Sequence, residues 1–379
     1  MPTYTAPLDD IRFVLHDMLN VESLSKLPAY EDTASAELID QVLEEGAKIC
    51  QDELFPLNIT GDEEGCHFDN GRVTTPKGFT EAYKLFTESG WTGVSCDPQY
   101  GGMGLPHTVN FVMQEMICSA NLSFGMYPGL SQGAIDAIYL HGNDEQKEYY
   151  LPKMIEGVWS GTMNLTEPHC GTDLGLIRTK AEVHPDGDGA WAITGQKIFI
   201  SAGEHDLTDN IIHLVLARVP DAPDGVHGIS LFIVPKLITA EGDKENTLSC
   251  TSIEHKMGIK ASSTCVMDYQ GAKGFLLGEP NKGLKAMFTM MNAARLAVGM
   301  QGIGIAEVAY QNGLFYAKDR VQMRALDGTK FPEKEADPII VHQIGRAPCR
   351  ERGLSTVGAE QFKKRVRTSG RTQVCDQTV

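Results

Sequence analysis

The residues with the strongest chemical character form one short block between Met163 and Asp173, which reads Met-Asn-Leu-Thr-Glu-Pro-His-Cys-Gly-Thr-Asp. Two hydroxyl residues, Thr166 and Thr172, stand on either side of the small Gly171. A loop of this kind can turn backbone N–H groups and side-chain donors toward an anion. The block therefore predicts a loop that binds an anionic group.

A second segment, Gln196 to Gly203, reads Gln-Lys-Ile-Phe-Ile-Ser-Ala-Gly. Phe199 and Ser201 are two residues apart, so they share one face of a strand. A planar ring could lie beside Phe199 and accept a hydrogen bond from Ser201. Each residue alone also has an ordinary interpretation, with Phe199 in the core, Thr166 in a strand and Gly171 in a turn.

The composition narrows the class of protein. The chain has 379 residues, with 33 Lys and Arg against 50 Asp and Glu, a net charge of −17. A chain of this length usually forms two or three domains. Its acidic surface repels phosphate backbones, so we expect no nucleic-acid partner. An anionic substrate must then be held by local donors and helix ends.

The cysteine content and the N-terminal sequence indicate a reducing compartment. Nine cysteines, an odd number without a CxxC pair, favour neither a disulfide framework nor a thiolate zinc site. Histidines 205, 213, 227 and 255 lack metal-ligand spacing, so no metal is expected. The N-terminus is unlike a signal peptide and no apolar run is long enough for a membrane. We expect a soluble cytoplasmic protein.

Helical periodicity dominates the first part of the chain. Apolar residues recur at helical spacing from Leu38 to Cys50, and Pro56 is predicted to stop that helix. A second helix is predicted with Thr75 as its N-cap, Pro76 in its first position and Gly90 just past its end. Further helices are expected near residues 109–120, 133–141 and 145–157.

The middle of the chain changes to short apolar runs separated by turn residues. The predicted strands are residues 191–193, 198–200, 211–216 and 229–234, typical of a β-sandwich or small barrel. The helical period returns at Asn281. We therefore predict an α+β multidomain fold, with an N-terminal helical domain (1–158), a middle β domain (159–280) and the start of a C-terminal helical bundle (281–342). This order argues against a doubly wound sheet.

Residues 343–379 differ from the rest of the chain. They contain eight Lys or Arg and three acidic residues, and no sustained apolar period. A basic flexible tail is one interpretation. The alternative that we favour is a reading frame lost near His342, because residues 344–352 resemble translated adapter DNA. The segment is accordingly treated as non-native, and the C-terminal bundle as truncated.

Together these segments resemble the acyl-CoA dehydrogenase family. The block Leu165-Thr166-Glu167-Pro168-x-x-Gly171-Thr172-Asp173 matches the family's signature, and the resemblance covers nearly all of residues 1–342. The opening residues 4–8 and 13–15 are similar to a longer bacterial branch that includes 3-methylmercaptopropionyl-CoA dehydrogenases. The family's helix–β–helix architecture agrees with the order of elements predicted above.

The resemblance implies an FAD-dependent enzyme that converts an acyl-CoA to a 2-enoyl-CoA. In such enzymes FAD accepts a hydride from the substrate Cβ while a glutamate removes a Cα proton. The implied partners are an acyl-CoA substrate, an electron-transfer flavoprotein as electron acceptor, and further copies of the chain in a homo-oligomer.

The resemblance also assigns roles at the flavin. Met163, Leu165 and Thr166 would line the flavin ring, with a hydrogen bond from Thr166. Gly171 and Thr172 would hold the pyrophosphate, and Thr172 would also touch the substrate.

Four further residues take their roles from the same resemblance. Phe199, where many relatives have Trp, would cover one flavin face, and Ser201 replaces the usual Thr near N5. Arg320 would reach the FAD of a neighbouring subunit. Asn292 and Arg295 would lie near the CoA end of the substrate.

The family's catalytic glutamate is missing. It usually precedes a Gly-Thr pair in the C-terminal domain, and no Glu-Gly-Thr follows residue 281. Some subfamilies carry it at the position that is Ala294 here. Glu307 and Glu333 are interpreted as a solvated helix face and a loop charge. Without a positioned base the rate should fall by ~10²–10⁴, so this chain is expected to be nearly inactive.

Two alternatives to the dehydrogenase stay open. One is another flavin enzyme of the same fold, an acyl-CoA oxidase or a flavin monooxygenase, whose reduced flavin would react rapidly with oxygen. The other is a truncated, inactive paralogue that binds FAD, or only a partner subunit, without turnover.

Overall fold

A computed structural model describes residues 2–342. They divide into two compact units, one of residues 6–301 and one of residues 2–5 with 302–342. The segment predicted to be non-native, 343–379, lies outside the described residues. None of the described helices has the length and apolar character that a membrane crossing requires.

The order of helices, strands and helices is confirmed. In chain order the described α-helices are α1 (Leu8–Arg12), α2 (Ala36–Lys48), α3 (Pro56–Glu64), α4 (Phe79–Glu88), α5 (His107–His141), α6 (Asp144–Glu156) and α7 (Gly283–Asp319). Pro56, predicted to stop the first helix, instead opens α3. Proline suits the first position of a helix because its missing N–H would have no helical partner there.

The predicted start of α4 is wrong. The helix begins at Phe79, and Gly78, with a φ of 89°, is its N-cap. Thr75 instead donates its hydroxyl to Oδ1 of Asp206 (2.7 Å), and its N–H goes to the same oxygen (3.0 Å). A distant carboxylate thus takes the hydroxyl that would have capped the helix. Gly90 does lie just past the end, with a φ of 79°.

The helices predicted at 109–120 and 133–141 belong to the single run α5. The run is interrupted at Asn121, whose φ of −155° and ψ of 92° are not helical. The buried Asn121 amide donates to the Leu54 carbonyl (3.2 Å) and its Oδ1 accepts from the Phe124 N–H (3.0 Å). These bonds replace main-chain bonds that the kink removes.

The strands form one large sheet and two small ones. In chain order they are β1 (His67–Asp69), β2 (Arg72–Thr74), β3 (Trp159–Asn164), β4 (Lys180–Val183), β5 (Trp191–Ser201), β6 (Asn210–Ala217), β7 (Ser230–Pro235), β8 (Leu237–Ile238), β9 (Lys244–Glu245), β10 (Leu248–Ile253) and β11 (Thr264–Leu277). The runs predicted at 191–193 and 198–200 are both part of β5. The intervening residues 194–197 pair with β11 as well.

The large sheet curls into a small barrel, one of the two predicted alternatives. Its order is β3-β6-β7-β11-β5-β4, with β10 on β11. The Thr162 hydroxyl of β3 donates to the Ser201 carbonyl of β5 (2.7 Å), although the two strands are not neighbours in this order. At the other edge Arg218 donates its N–H to the Thr179 carbonyl (2.9 Å). The ends of the sheet are therefore brought together.

The barrel interior is apolar because alternate residues of each strand point inward. The inner faces share Val215, Ala217, Phe232, Val234, Met267 and Tyr269, all buried. One inward position of β6 is occupied by His213, which is fully buried, and neither ring nitrogen has a hydrogen-bond partner among the described residues. Burial lowers the pKa of His213 to about 3, and Lys236 adds to this effect.

Acid should destabilise the protein through this histidine. In the unfolded chain His binds a proton below pH ~6.5, whereas folded His213 stays neutral down to about pH 3. The stability is therefore complete above pH ~6.5 and is lost as the pH falls. We expect His213→Leu to remove about 2 kcal/mol of the drop in unfolding free energy between pH 7.5 and 5.

Urea unfolding at the two pH values measures this drop. In His213→Leu, part of the acid-induced drop in unfolding free energy should remain, because burial also lowers the pKa of His205 to about 3. The exposed His67→Leu serves as the control and should keep all of it. A full acid-induced drop in His213→Leu would contradict the prediction.

Candidate functional site

The two segments singled out in the sequence meet at one end of the barrel. Met163 is the penultimate residue of β3, and Leu165 and Thr166 follow the strand directly. Ile198 of β5 donates its N–H to the carbonyl oxygen of Thr166 (2.9 Å). The block 163–173 and the segment 196–203 therefore lie side by side.

A buried lysine joins the same two segments. Lys197 of β5 is fully buried. Its ammonium donates to the carbonyl oxygen of Leu165 (3.0 Å) and to Oε1 of Glu167 (2.8 Å). Burial lowers the pKa of Lys197, and the charge of Glu167 opposes this shift. The ammonium thus holds both the main chain and a side chain of the block.

The Glu167 carboxylate extends the connection to a third segment. Its Oε2 accepts from the Arg178 N–H (2.7 Å), and its Oε1 accepts from the N–H (3.1 Å) and hydroxyl (2.6 Å) of Thr179. Burial by itself would raise the pKa of Glu167. Lys197 and these hydrogen bonds outweigh burial and hold the pKa below its ordinary value. The carboxylate is thus charged, and both of its oxygens accept hydrogen bonds.

A β-bulge directs Phe199 out of the sheet. Lys197 pairs with Met267 and Ile200 with Cys265, so two residues of β5 face the single Val266 of β11. Phe199 lies in this bulge with a φ of 59° and is 59 % exposed. Left-handed backbone is costly for a bulky residue and concentrates at functional sites. The arrangement holds an aromatic ring in solvent, one residue along from the Ile198 N–H that bonds to Thr166.

Three hydroxyl groups at this end of the barrel are available to a ligand. The side chains of Thr166, Thr172 and Ser201 form no hydrogen bond with any described residue. Gly171 keeps the first of them accessible, since a Cβ there would lie 3.1 Å from the Thr166 methyl. The hydroxyls and the Phe199 ring together suit a planar polar ligand with an anionic part.

A cavity of about 250 Å³ opens beside Met163. Its other walls come from α5, through Gln114 and Gln132, and from α7, through Ala294 and Ala297. An adjoining cavity of about 120 Å³ shares several of these residues. Ala294, which the resemblance matches to the position of the base in some subfamilies, lies on the cavity wall.

The cavity has polar groups that the sequence analysis missed. The amides of Asn110 and Gln114, one helical turn apart on α5, form no hydrogen bond with described residues. Gln132 donates its Nε2 to Oδ1 of Asp136 (3.0 Å), and burial raises the pKa of this carboxyl. The spacing of amides along a helix was the available signal. It becomes informative only when α7 closes the cavity over α5.

The residues predicted for the CoA end lie together on α7. Arg295 donates Nη1 to Oδ1 of Asn292 (2.6 Å), and its guanidinium lies 5.5 Å from the centre of the Phe288 ring. Both predicted residues are exposed. Arg320 follows the end of α7 and belongs to the unit of residues 302–342, where its carbonyl accepts from the Ile339 N–H (2.8 Å).

Glu167, His169 and Cys170 place ligand-type atoms within 4.8 Å of one another. The geometry does not favour a cation there, because the Lys197 ammonium already occupies one side of the carboxylate. The His169 ring is also committed, since its Nε2 donates to the Leu176 carbonyl (2.9 Å). Burial raises the pKa of the Cys170 thiol, which fits a packing role.

Family models match both the helical N-terminal domain and the β domain that carries the candidate site. Residues 38–158 match the N-terminal domain of acyl-CoA dehydrogenases and residues 162–272 match the middle domain. The chain belongs to the acyl-CoA dehydrogenase family. The match to the middle domain contains the whole block 163–173 and the strand that carries Lys197 and Phe199.

Individual relatives agree with this assignment. The 3-methylmercaptopropionyl-CoA dehydrogenase of Ruegeria pomeroyi is 49 % identical over 362 residues, which are 94 % of this chain and 60 % of that protein. The chain thus spans less than two thirds of this curated relative.

Two solved structures have similar folds. An acyl-CoA dehydrogenase complexed with FAD from Bacillus anthracis has a TM-score of 0.66 at 25 % identity, covering 83 % of this chain and 48 % of that one. A structure of the electron transferring flavoprotein of Acidaminococcus fermentans has a TM-score of 0.68 at 25 % identity, covering 86 % and 76 %.

The backbone at Phe199 should prefer glycine. Because left-handed backbone penalises any side chain, Phe199→Gly should be more stable than Phe199→Ala, by up to about 1 kcal/mol. Val183, exposed on β4 without a positive φ, is the control, and there glycine should be less stable than alanine by about 0.5–1 kcal/mol. Denaturant unfolding of the four variants measures both differences, and the same order at both sites would contradict the assigned strain.

Proposed function

We propose that this chain is the flavin- and substrate-binding part of an FAD-dependent acyl-CoA dehydrogenase. The reaction is α,β-dehydrogenation of an acyl-CoA to a 2-enoyl-CoA, and the proposed substrate is 3-methylmercaptopropionyl-CoA, after the relative from Ruegeria pomeroyi. One observation carries the proposal. Met163 belongs to the segment that carries Thr166 and also forms a wall of the cavity. An acyl chain in the cavity would lie next to a ring bound at that segment.

The residues at the end of the barrel fit FAD. A flavin has a planar ring that needs an aromatic or apolar contact and polar edges that need hydrogen bonds, and its pyrophosphate needs donors. Phe199 offers the ring contact, and Thr166 and Ser201 offer hydroxyls to the polar edges. The Thr172 hydroxyl suits the pyrophosphate, and Gly171 has no side chain that would crowd Thr166. FAD supplies the two-electron acceptor for the reaction.

In this family a glutamate carboxylate removes the Cα proton. Among the described residues that line the two cavities, Asp136 carries the only carboxyl group, and Gln132 is hydrogen-bonded to it. Ala294 occupies the position at which some subfamilies carry the base. We therefore expect this chain to bind substrate and to abstract the proton slowly.

Anaerobic reduction of the flavin tests the proposal. The purified chain, loaded with FAD, should change its flavin absorbance on addition of 3-methylmercaptopropionyl-CoA and then bleach slowly. A carboxylate introduced by Ala294→Glu should accelerate bleaching by about 10²-fold or more, the range for a positioned base. Ala294→Gln is the matched control of similar size.

Each outcome decides between the candidates. Bleaching that is about 10²-fold faster in Ala294→Glu than in Ala294→Gln supports the dehydrogenase. If FAD binds but the flavin bleaches in neither variant, the protein is the non-enzymatic flavoprotein. Rapid reoxidation of the reduced flavin by dissolved oxygen identifies an oxidase. A chain that retains no FAD overturns the proposal.

The amides of the cavity should favour an acyl chain with a heteroatom. Unpartnered polar groups in a pocket reject a hydrocarbon, since they lose water without gaining a bond. We expect Gln114→Leu to tighten binding of pentanoyl-CoA and to weaken binding of the 3-methylmercaptopropionyl thioester, which differs by a sulfur in place of one methylene.

The relative affinity for the two thioesters should change by about tenfold, which corresponds to roughly 1.4 kcal/mol. Titration of the flavin absorbance measures both dissociation constants. Phe111→Leu, an apolar change in the same cavity, is the control and should alter both affinities alike. An unchanged ratio in Gln114→Leu would rule out the role of this amide.

The proposed setting is the cytoplasm, with an electron-transfer flavoprotein as the acceptor. All seven described cysteines are free thiols, which fits a reducing compartment. We also propose a homo-oligomer. Leu296 and Val298 of α7 are more than half exposed, and apolar surface of this kind is commonly covered by a neighbouring chain.

A further inference from the structure

We propose that Lys197 and Glu167, here called the clamp, are positioning residues that set the flavin-contacting segment against Phe199. The inference rests on the proposed function, since it concerns the site for FAD. Neither side chain of the clamp is among the residues predicted to contact the flavin. It acts on the main chain that carries that surface.

The contacts fix the block 163–173 against β5 at consecutive residues. The Lys197 ammonium binds the carbonyl of Leu165, and the next residue, Ile198, binds the carbonyl of Thr166 through its N–H. Phe199 follows immediately in left-handed backbone. A shift of the block by even one residue would break both contacts. The clamp therefore determines where the Thr166 hydroxyl lies relative to the Phe199 ring.

Stability alone is a weak reason for such a pair. Replacing a buried ion pair with apolar residues of similar volume is often neutral or stabilising, because both charges lose their water. Lys197 is fully buried and Glu167 is only 3 % exposed. The clamp also carries a main-chain contact that an apolar pair could not supply. Its distinguishing property is the directional bond to the Leu165 carbonyl.

The same sheet contains a second lysine that serves as a control. Lys273 of β11 is nearly buried, and its ammonium lies 3.1 Å from a carboxylate oxygen of Asp186 and 2.8 Å from one of Asp188. It pairs with Ala192 of β5. That position is five residues from Lys197, a distance along the strand of roughly 16 Å. Removing the Lys273 ammonium therefore tests how the loss of a buried lysine charge affects stability, without disturbing the block 163–173.

The test compares Lys197→Met, Glu167→Gln and Lys273→Met with the unchanged chain. FAD binding is followed by quenching of FAD fluorescence, the flavin absorbance spectrum reports the ring's environment, and a thermal melt reports stability. We expect the clamp variants to weaken FAD binding by about tenfold or more, by analogy with loss of an outer-shell partner at a metal site. Their flavin spectrum should also shift.

Lys273→Met should lose thermal stability and keep both its FAD affinity and its spectrum. Glu167→Gln has nearly the same shape but loses the charge, and its amide nitrogen cannot accept the hydrogen bonds that one carboxylate oxygen accepts now. It provides the readout if Lys197→Met fails to fold. A clamp variant that binds FAD like the unchanged chain, with an unshifted spectrum, overturns the inference and leaves the proposed function intact. An unchanged chain that binds no FAD overturns both.

Discussion

The arrangement of the candidate site depends on one buried carboxylate. Removing a charge such as that of Glu167 from water costs several kcal/mol unless hydrogen bonds and an opposite charge compensate. The compensation comes from two other parts of the chain, from Lys197 on β5 and from Arg178 and Thr179 just before β4. Because the loss of a partner would leave a buried group unpaired, the three segments adopt one common arrangement.

The groups that face solvent take their places from this constraint. With the block fixed against β5, the bulge at Phe199 directly follows the bond from Ile198 to Thr166, and Met163 lines the cavity between α5 and α7. The ion pair of Lys197 and Glu167 is therefore buried, whereas the left-handed backbone at Phe199 and the unpartnered hydroxyls lie closer to solvent. Enzymes commonly place strain and unpaired polar groups where a ligand will bind.

Local sequence patterns predicted the structural features that depend on residues close together in the sequence. The helix–strand–helix order follows from periodicity, and the blocks 163–173 and 196–203 were identified from residue types alone. The helix start at Thr75 was predicted wrongly because Asp206, 131 residues away, takes its hydroxyl. The cavity amides on α5 and the pairing of Lys197 with Glu167 also depend on contacts between distant segments, so the sequence could not reveal them.

A crystal structure of this chain with FAD and 3-methylmercaptopropionyl-CoA tests the central claim most directly. The account predicts that the flavin ring lies between the Met163–Thr166 segment and Phe199. The acyl chain should enter the cavity with its sulfur near Asn110 and Gln114. A flavin bound elsewhere, or an acyl chain outside this cavity, would contradict the account.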